Sequence, residues 1–419
     1  MHSEERGQGR PQAVVTHMKE FIGYEEARQI VVSSARRTDS ERVLLHEALG
    51  RILAEPVIST TAIPPFDNSS MDGYAVRRED VTGLPAVLRV VGELSAGSWP
   101  SEPVRPGECV RIMTGAPTPA GIDSVVPVEW TEEVDERHVR ITRTPGEGHA
   151  IRRTGMDVEA GERVFSPGVL LTPPAVGMLA AIGQRDVAVA RRPRLSIIAT
   201  GTEIVDHDTV PSPGQIRNSN GPALSAQTIA SGGEVRDALT VGDDASLLRE
   251  SVERGLESDV LVLSGGVSVG AYDLVKDVLS GLGVDLLFWK VRQRPGKPLL
   301  FGLYGEILVF GLPGNPVSAS ICFDRYVRPV IHAMLGRVTP DREQLDAVLT
   351  EPMQKVDGLR YFARGVYTRT ESGLTVRPSG SQSSGVYSAL VEANCIIHLP
   401  EEMTDPPAGT TVQIEPLRW

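Results

Sequence analysis

Four glycine-bearing loops hold most of the residues in this chain that could do chemistry. Thr200-Gly201-Thr202-Glu203 follows one apolar run, and Ser264-Gly265-Gly266-Val267-Ser268-Val269-Gly270 follows another and precedes Asp273. Arg292-Gln293-Arg294-Pro295-Gly296-Lys297-Pro298 is basic, and Gly311-Leu312-Pro313-Gly314-Asn315-Pro316-Val317-Ser318 opens a helix. Glycine lets backbone come close to a ligand, and free N–H groups at a helix start favour anions. Arg292, Arg294 and Lys297 add the fixed positive charge that phosphate recognition requires. No Gly-Lys-Ser/Thr follows the glycines, so none of these is a Walker loop. Taken singly, each loop reads equally well as a plain turn, and Arg292 and Arg294 as a solvated face. Asp243 and Asp273 likewise sit where helix caps belong. Four such loops on one side of one sheet point instead to an anionic, nucleotide-like ligand.

A fifth segment, Pro64-Pro65-Phe66-Asp67-Asn68-Ser69-Ser70-Met71-Asp72-Gly73-Tyr74-Ala75-Val76, sets two carboxylates, two hydroxyls and an amide before a strand. An ordinary polar turn with Asx hydrogen bonds is its plainer reading. Arg111–Pro117, which contains Thr114, and Arg152–Asp157 are unremarkable alone.

The elements that must position these loops follow from periodicity. Residues 191–336 alternate strand and helix, with strands at Leu195–Ala199, Val235–Val241, Val260–Leu263, Leu286–Trp289 and Ile307–Phe310. Helices fall near Ala223–Ile229, after Asp243-Asp244, and at Leu274–Leu282. Such alternation implies a doubly wound, mostly parallel α/β sheet, whose ligands bind beyond the carboxyl ends of its strands. Residues 63–149 carry short strands bounded by Gly, Pro or Asp, the pattern of a small β domain. It interrupts a mixed domain of residues 20–62 plus 150–190, in which Tyr24 to Ala54, including Glu41–Leu49, reads as helical. The α/β domain spans 191–337, residues 338–419 form a C-terminal β domain, and 1–19 a disordered extension.

Composition narrows the function. At ~150 residues per domain, 419 residues make two to four domains. A net charge of −12 argues against a non-specific nucleic-acid binder, which needs a basic footprint. Cys109, Cys322 and Cys395 stand far apart with no C-x-x-C pair, which suits a reducing compartment rather than a disulfide framework. No apolar run reaches the ~18 residues of a membrane span, so a cytoplasmic protein without nucleic-acid or membrane partners is expected.

Taken together, Phe66–Ala75, Ser264–Gly270, Pro295–Pro298 and Gly311–Ser318 resemble the MoeA family of molybdopterin molybdenumtransferases, to which the gephyrin E domain also belongs. The resemblance covers residues 24–419. It implies an elongated four-domain subunit with a MogA-like α/β domain and a β-barrel-like C-terminal domain. It also implies a homodimer, with each active site between the α/β domain of one chain and the inserted domain of the other. The implied reaction inserts molybdate into adenylylated molybdopterin and hydrolyses the adenylate to AMP, with Mg²⁺. Contacts with the adenylyltransferase and with apo-molybdoenzymes are implied as well. By motif, Asp72, Asp157, Glu203, Asp243 and Asp273 match acidic site positions, with Glu203 and Asp273 nearest the metal and Asp72 offered by the neighbouring subunit. Substrate contacts are implied at Thr114, Ser264, Gly265, Gly266, Ser268, Pro313, Gly314, Asn315 and Pro316. Arg294, Lys297, Arg364 and Ser384 match contacts to the oxyanion.

Three departures from the family pattern stand out. Arg294 occupies a position where Lys is common, Asn218 stands in a stretch that often carries an acid, and Ala271 lacks the acid often found there. Two other classes compete with the transferase. A scaffold like gephyrin would need a fused second domain and long linker, and a stand-alone adenylyltransferase would lack the inserted and C-terminal domains. No residue decides between molybdate and tungstate.

Overall fold

The computed structural model describes residues 18–266, 272–338 and 342–417, the side chains at 272 and 273 excepted. The described residues group into two compact bodies. One draws on the described residues within 18–41, 50–52 and 190–417, the other on Arg42–Leu49 and Leu53–Val189.

The first body is built on a seven-stranded sheet. Its order is Lys19–Ile22, Asp285–Val291, Leu300–Tyr304, Ile307–Leu312, Val260–Ser264, Arg194–Thr200, Glu234–Val241. Only Leu300–Tyr304 runs against its neighbours; every other pairing is parallel. Val260–Ser264 is buried along its whole length, as a central strand covered on both faces must be. Alternate residues serve the two faces. Ile197, Val260, Val262 and Phe310 join one apolar cluster, while Ile198, Leu261, Leu263 and Val309 join the other. Asn220–Ala230 and Pro316–Cys322 cover the first face, and Ala245–Gly255 and Tyr272–Gly281 the second. The register puts Ala199 beside Ser264 and Ser264 beside Leu312, so the loops after these strands leave from one edge.

Two expectations change here. Lys19–Ile22 pairs in parallel with Asp285–Val291 at the sheet edge, and Tyr24, Ala27 and Val31 of helix Tyr24–Ser33 enter the α/β core. Residues 20–41, together with 50–52, therefore belong with the α/β body rather than with the rest of 42–62. Glu41–Leu49 is not helical: Ser40–Leu44 is a strand and Leu45–Glu47 a single 3₁₀ turn. Tertiary contacts outweigh helix propensity there, because Arg42 pairs with Asp186 and the Leu45 N–H bonds the Arg185 carbonyl at 3.1 Å.

The same body ends in a closed barrel. Arg360–Thr370 pairs with Gly373–Pro378, which pairs with Leu345–Leu349, then Thr411–Pro416, then Cys395–Leu399, which returns to Arg360–Thr370. Leu349, Ala363, Val376, Ile397 and Val412 fill it. A two-residue strand, Gln293–Arg294, adds in parallel to the barrel through Arg360 and Tyr361, which ties the basic loop to it. A buried ionic cluster also holds helix to barrel: Arg325 donates to Asp324 and, at 2.6 Å, to both oxygens of Glu415. Arg328 and Arg342 complete it.

The second body holds a six-stranded sheet, ordered Ser124–Pro127, Gly73–Val76, Glu108–Ile112, Ala86–Leu94, His138–Ile141, Thr131–Asp135. Beside it, helix Pro173–Ala181 packs Leu179 with Leu53, Val57, Leu171 and Val189.

Candidate active site

All four loops meet at the carboxyl edge of the parallel strands, the basic one through Pro298 alone, where they line a cavity of 390 Å³. Gly265 has φ +99°, and a Cβ there would stand 2.1 Å from the Thr200 carbonyl oxygen. Only glycine lets those two loops pack backbone to backbone. Gly201, at φ +157°, is constrained differently: a Cβ there would stand 2.7 Å from a Glu203 carboxylate oxygen. Glu203 is thus folded back over its own loop, and among the described residues its carboxylate receives no hydrogen bond. Asp243 accepts from the Thr200 hydroxyl at 3.2 Å and the Thr202 N–H at 3.3 Å. Capping falls to its neighbour, for Asp244 accepts from the N–H groups of Ser246 and Leu247 at 2.9 Å. The two adjacent acids therefore divide, one to the cavity and one to the helix. Gly266, Gly314 and Pro316 also line the cavity.

Ser264 is fully buried and lies behind the cavity lining. It accepts from Asn220 Nδ2 at 2.8 Å and donates to the Pro313 carbonyl at 3.3 Å, while Asn220 also holds the Gly314 carbonyl at 2.8 Å. This pair fixes the Pro313–Asn315 loop against the Ser264 strand end. Asn220 was not among the expected residues; nothing in a lone Asn at a helix start shows that its amide reaches two loops. Asn218 binds Thr240 and the Gly221 N–H, the part of a helix-entry anchor. Ser268 and Ala271 lie outside the described residues, and so does the side chain of Asp273, at the second position of helix Tyr272–Gly281.

A second cavity, of 750 Å³, adjoins the first through Pro298, Pro313 and Asn315. Arg294, Lys297, Arg364 and Ser384 all line it. Arg294 and Lys297 are exposed, whereas Gln293 between them and the core is fully buried. The Gln293 amide donates to the carbonyls of Pro295 and Gly296, both at 3.2 Å, and so holds the turn that carries the two cations. Arg364 is buried and donates to the carbonyls of Ser381 (2.7 Å), Ser383 (3.1 Å) and Gln382 (3.4 Å). Its Nε has no partner among the described residues. Burial first, and Arg294 second, push the Arg364 guanidinium down to about 10. A buried cation facing another cation is an electrostatic debt that a bound anion would cancel. Asn315 leaves its own helix uncapped and donates instead to Ser384 Oγ at 3.0 Å, which joins sheet loop to barrel loop.

In the second body Asp72 is exposed and accepts from the N–H (2.7 Å) and hydroxyl (2.8 Å) of Thr114. These two bonds hold its carboxyl below the usual range. The contact joins distant loops, so it is no local Asx turn. Asp67 repeats the arrangement with Thr154, at 2.8 and 2.9 Å, and pairs with Arg153. Asp157 is exposed, its N–H on the Ile63 carbonyl.

Residues 22–183 match the MoeA N-terminal region (domains I and II), residues 196–333 a probable molybdopterin binding domain, and residues 346–417 the MoeA C-terminal region (domain IV). Molybdopterin molybdenumtransferase 2 of Mycobacterium tuberculosis is 36% identical over 403 residues, which cover 93% of this chain and 98% of that one. Molybdopterin molybdenumtransferase of Staphylococcus aureus is 34% identical over 406 residues, covering 96% and 97%. A crystal structure of a molybdopterin biosynthesis MoeA protein from Pyrococcus horikoshii matches with a TM-score of 0.81 at 31% identity, over 95% of this chain and all of that one. With these three regions matched along nearly its whole length, this protein belongs to the MoeA family of molybdopterin molybdenumtransferases.

Proposed function

We propose that the protein inserts molybdate into adenylylated molybdopterin and releases AMP as the adenylate is hydrolysed. The observation that carries this reading is the pair of adjoining cavities with opposite chemistry. One is lined by the carboxylates of Glu203 and Asp243 with Arg217 as its single cation, the other by Arg294, Lys297 and Arg364 with Glu351 as its single carboxylate, and they share Pro298, Pro313 and Asn315. An oxyanion substrate fits the basic side, where guanidinium and ammonium donors converge.

The acidic side suits a hard divalent cation. Its lining offers carboxylates, the Thr200 hydroxyl and backbone carbonyls, with no thiolate or imidazole. Among the described residues no three His, Cys, Asp or Glu converge, so Mg²⁺ held by Glu203 and Asp273, with Asp243 nearby, would share its coordination with substrate phosphate and water. When bound it would neutralise charge on the phosphoanhydride. The chain's own residues do the rest: Asn220 and Ser264 hold the Pro313–Asn315 loop, and Gln293 holds the cations beside it.

We read the working form as a homodimer in which Asp72, with Thr114, comes from the second copy. The support is a carboxylate that is exposed, ionised and oriented by two hydrogen bonds, with no basic partner bonded to it among the described residues. Three buried free thiols suit the reducing cytoplasm. The enzyme that makes the adenylate and the apo-enzymes that take the loaded cofactor are the expected contacts.

The test is AMP release from adenylylated molybdopterin with Mg²⁺, with and without molybdate. Release that depends on molybdate and yields active cofactor supports the transferase. Tight binding with no release would refute it in favour of a carrier or scaffold.

A further inference from the structure

Tyr361 sits at the start of the barrel strand Arg360–Thr370, buried but lining the basic cavity. Its phenol oxygen accepts from Arg294 Nη1 at 3.2 Å and from the Val356 N–H at 2.8 Å. A phenol has one proton to give and two lone-pair sites to fill. Both sites are filled by these donors, so the proton must turn elsewhere. Among the described residues no acceptor takes it. The ring itself is held between cations, with the Arg294 guanidinium 5.4 Å and Lys355 Nζ 5.7 Å from its centroid. The direction left open is the cavity that Tyr361 shares with Lys297, Arg364 and Ser384.

We propose that the Tyr361 hydroxyl donates a hydrogen bond to the oxyanion and that the same oxygen clamps Arg294 toward it. The proposal rests on the basic cavity being the oxyanion site. It adds a neutral, fixed donor to a cluster of cations. A hydrogen bond to a charged group is worth enough to change affinity by about tenfold to a hundredfold.

The experiment compares Tyr361→Phe, Lys297→Ala and the unaltered full chain by equilibrium dialysis against sodium molybdate, followed by steady-state kinetics. Tyr361→Phe keeps the ring beside Arg294 and Lys355 and removes the hydroxyl with its bonds to Arg294 and Val356. The expected result is a Kd for molybdate at least tenfold weaker, with KM for molybdate raised by the same factor. The kcat at saturating molybdate and KM for adenylylated molybdopterin should stay near the unaltered values. A merely structural anchor for Val356 would lower the melting temperature and leave this split unseen. Molybdate binding within twofold of the unaltered chain, while Lys297→Ala loses it, would overturn the proposal alone. Unchanged binding in both variants would overturn the placement of the oxyanion as well. Should Tyr361→Phe fail to fold, the unaltered chain still decides: molybdate must red-shift its tyrosine absorbance, and no shift refutes the contact.

Discussion

Replacing Arg364 by Met should make the empty protein only modestly less stable and remove most of its affinity for molybdate. The magnitudes follow from three observations. Burial and Arg294 lower the guanidinium to about 10, which makes the unpaired charge unfavourable by about 3 kcal/mol. Against that, the side chain donates to three backbone carbonyls, charge-assisted bonds worth about 1.5 kcal/mol each. Met preserves most of the buried volume, so the two terms largely offset and the apo protein should lose about 1–2 kcal/mol. With an oxyanion present the balance shifts. The anion relieves the charging penalty, and a variant without the cation forfeits that gain, about 3 kcal/mol or roughly a hundredfold in Kd. Thermal melting with and without molybdate separates the two. The unaltered protein should gain melting temperature with molybdate, and Arg364→Met should gain almost none from a slightly lower starting point. A variant that melts far lower when empty, yet still gains with molybdate, would refute the argument and make Arg364 a structural pin.

Other outcomes follow from the same geometry. Asp244→Ala should cost about 1 kcal/mol through its lost helix cap and keep activity, whereas Asp243→Asn should keep stability and lose AMP release. Asp72→Asn still accepts from Thr114, so melting should be unchanged while cofactor formation stops; mixing it with Asp243→Asn chains should restore activity if the site is shared between two copies. For pH, burial pushes the Asp324 and Glu415 carboxyls up, but Arg325, Arg328 and Arg342 outweigh this at Asp324, as do His398 and Arg325 at Glu415, and both lie below the usual range. Their stabilisation is therefore complete above the ordinary carboxyl pKa, near pH 4, and is lost as pH falls further toward their folded values. Urea midpoints at pH 7, 5 and 3 should show this, with Glu415→Gln weaker by about 3–5 kcal/mol at pH 7 and its deficit shrinking in acid.

Much of the frame is legible in the amino-acid order. Strand and helix alternate after residue 193 with clear period, so the parallel strands and the edge where their loops gather follow from local pattern and the handedness of such units. The basic turn, the Gly-Gly loop and the Asp67–Asp72 segment were equally visible, because their residue types are unusual for turns. Local pattern fails where long-range pairing decides. Nothing in Leu300–Tyr304 shows that it runs against its neighbours, and Ser40–Leu44 becomes a strand only because Arg185 and Asp186 lie beside it.

The division is sharpest between adjacent residues. Composition and motif established an anion-handling chain with carboxylates near a basic turn, since charge and glycine content are properties of the sequence itself. Which acid caps a helix and which faces the cavity, Asp244 or Asp243, depends on where the Thr200 loop lies 41 to 43 residues away. That Arg364 is buried facing Arg294, and that Tyr361 has spent both its lone pairs, are likewise facts of packing. A side chain's partners come from distant segments, and only the closed barrel against the sheet brings those segments within hydrogen-bond reach.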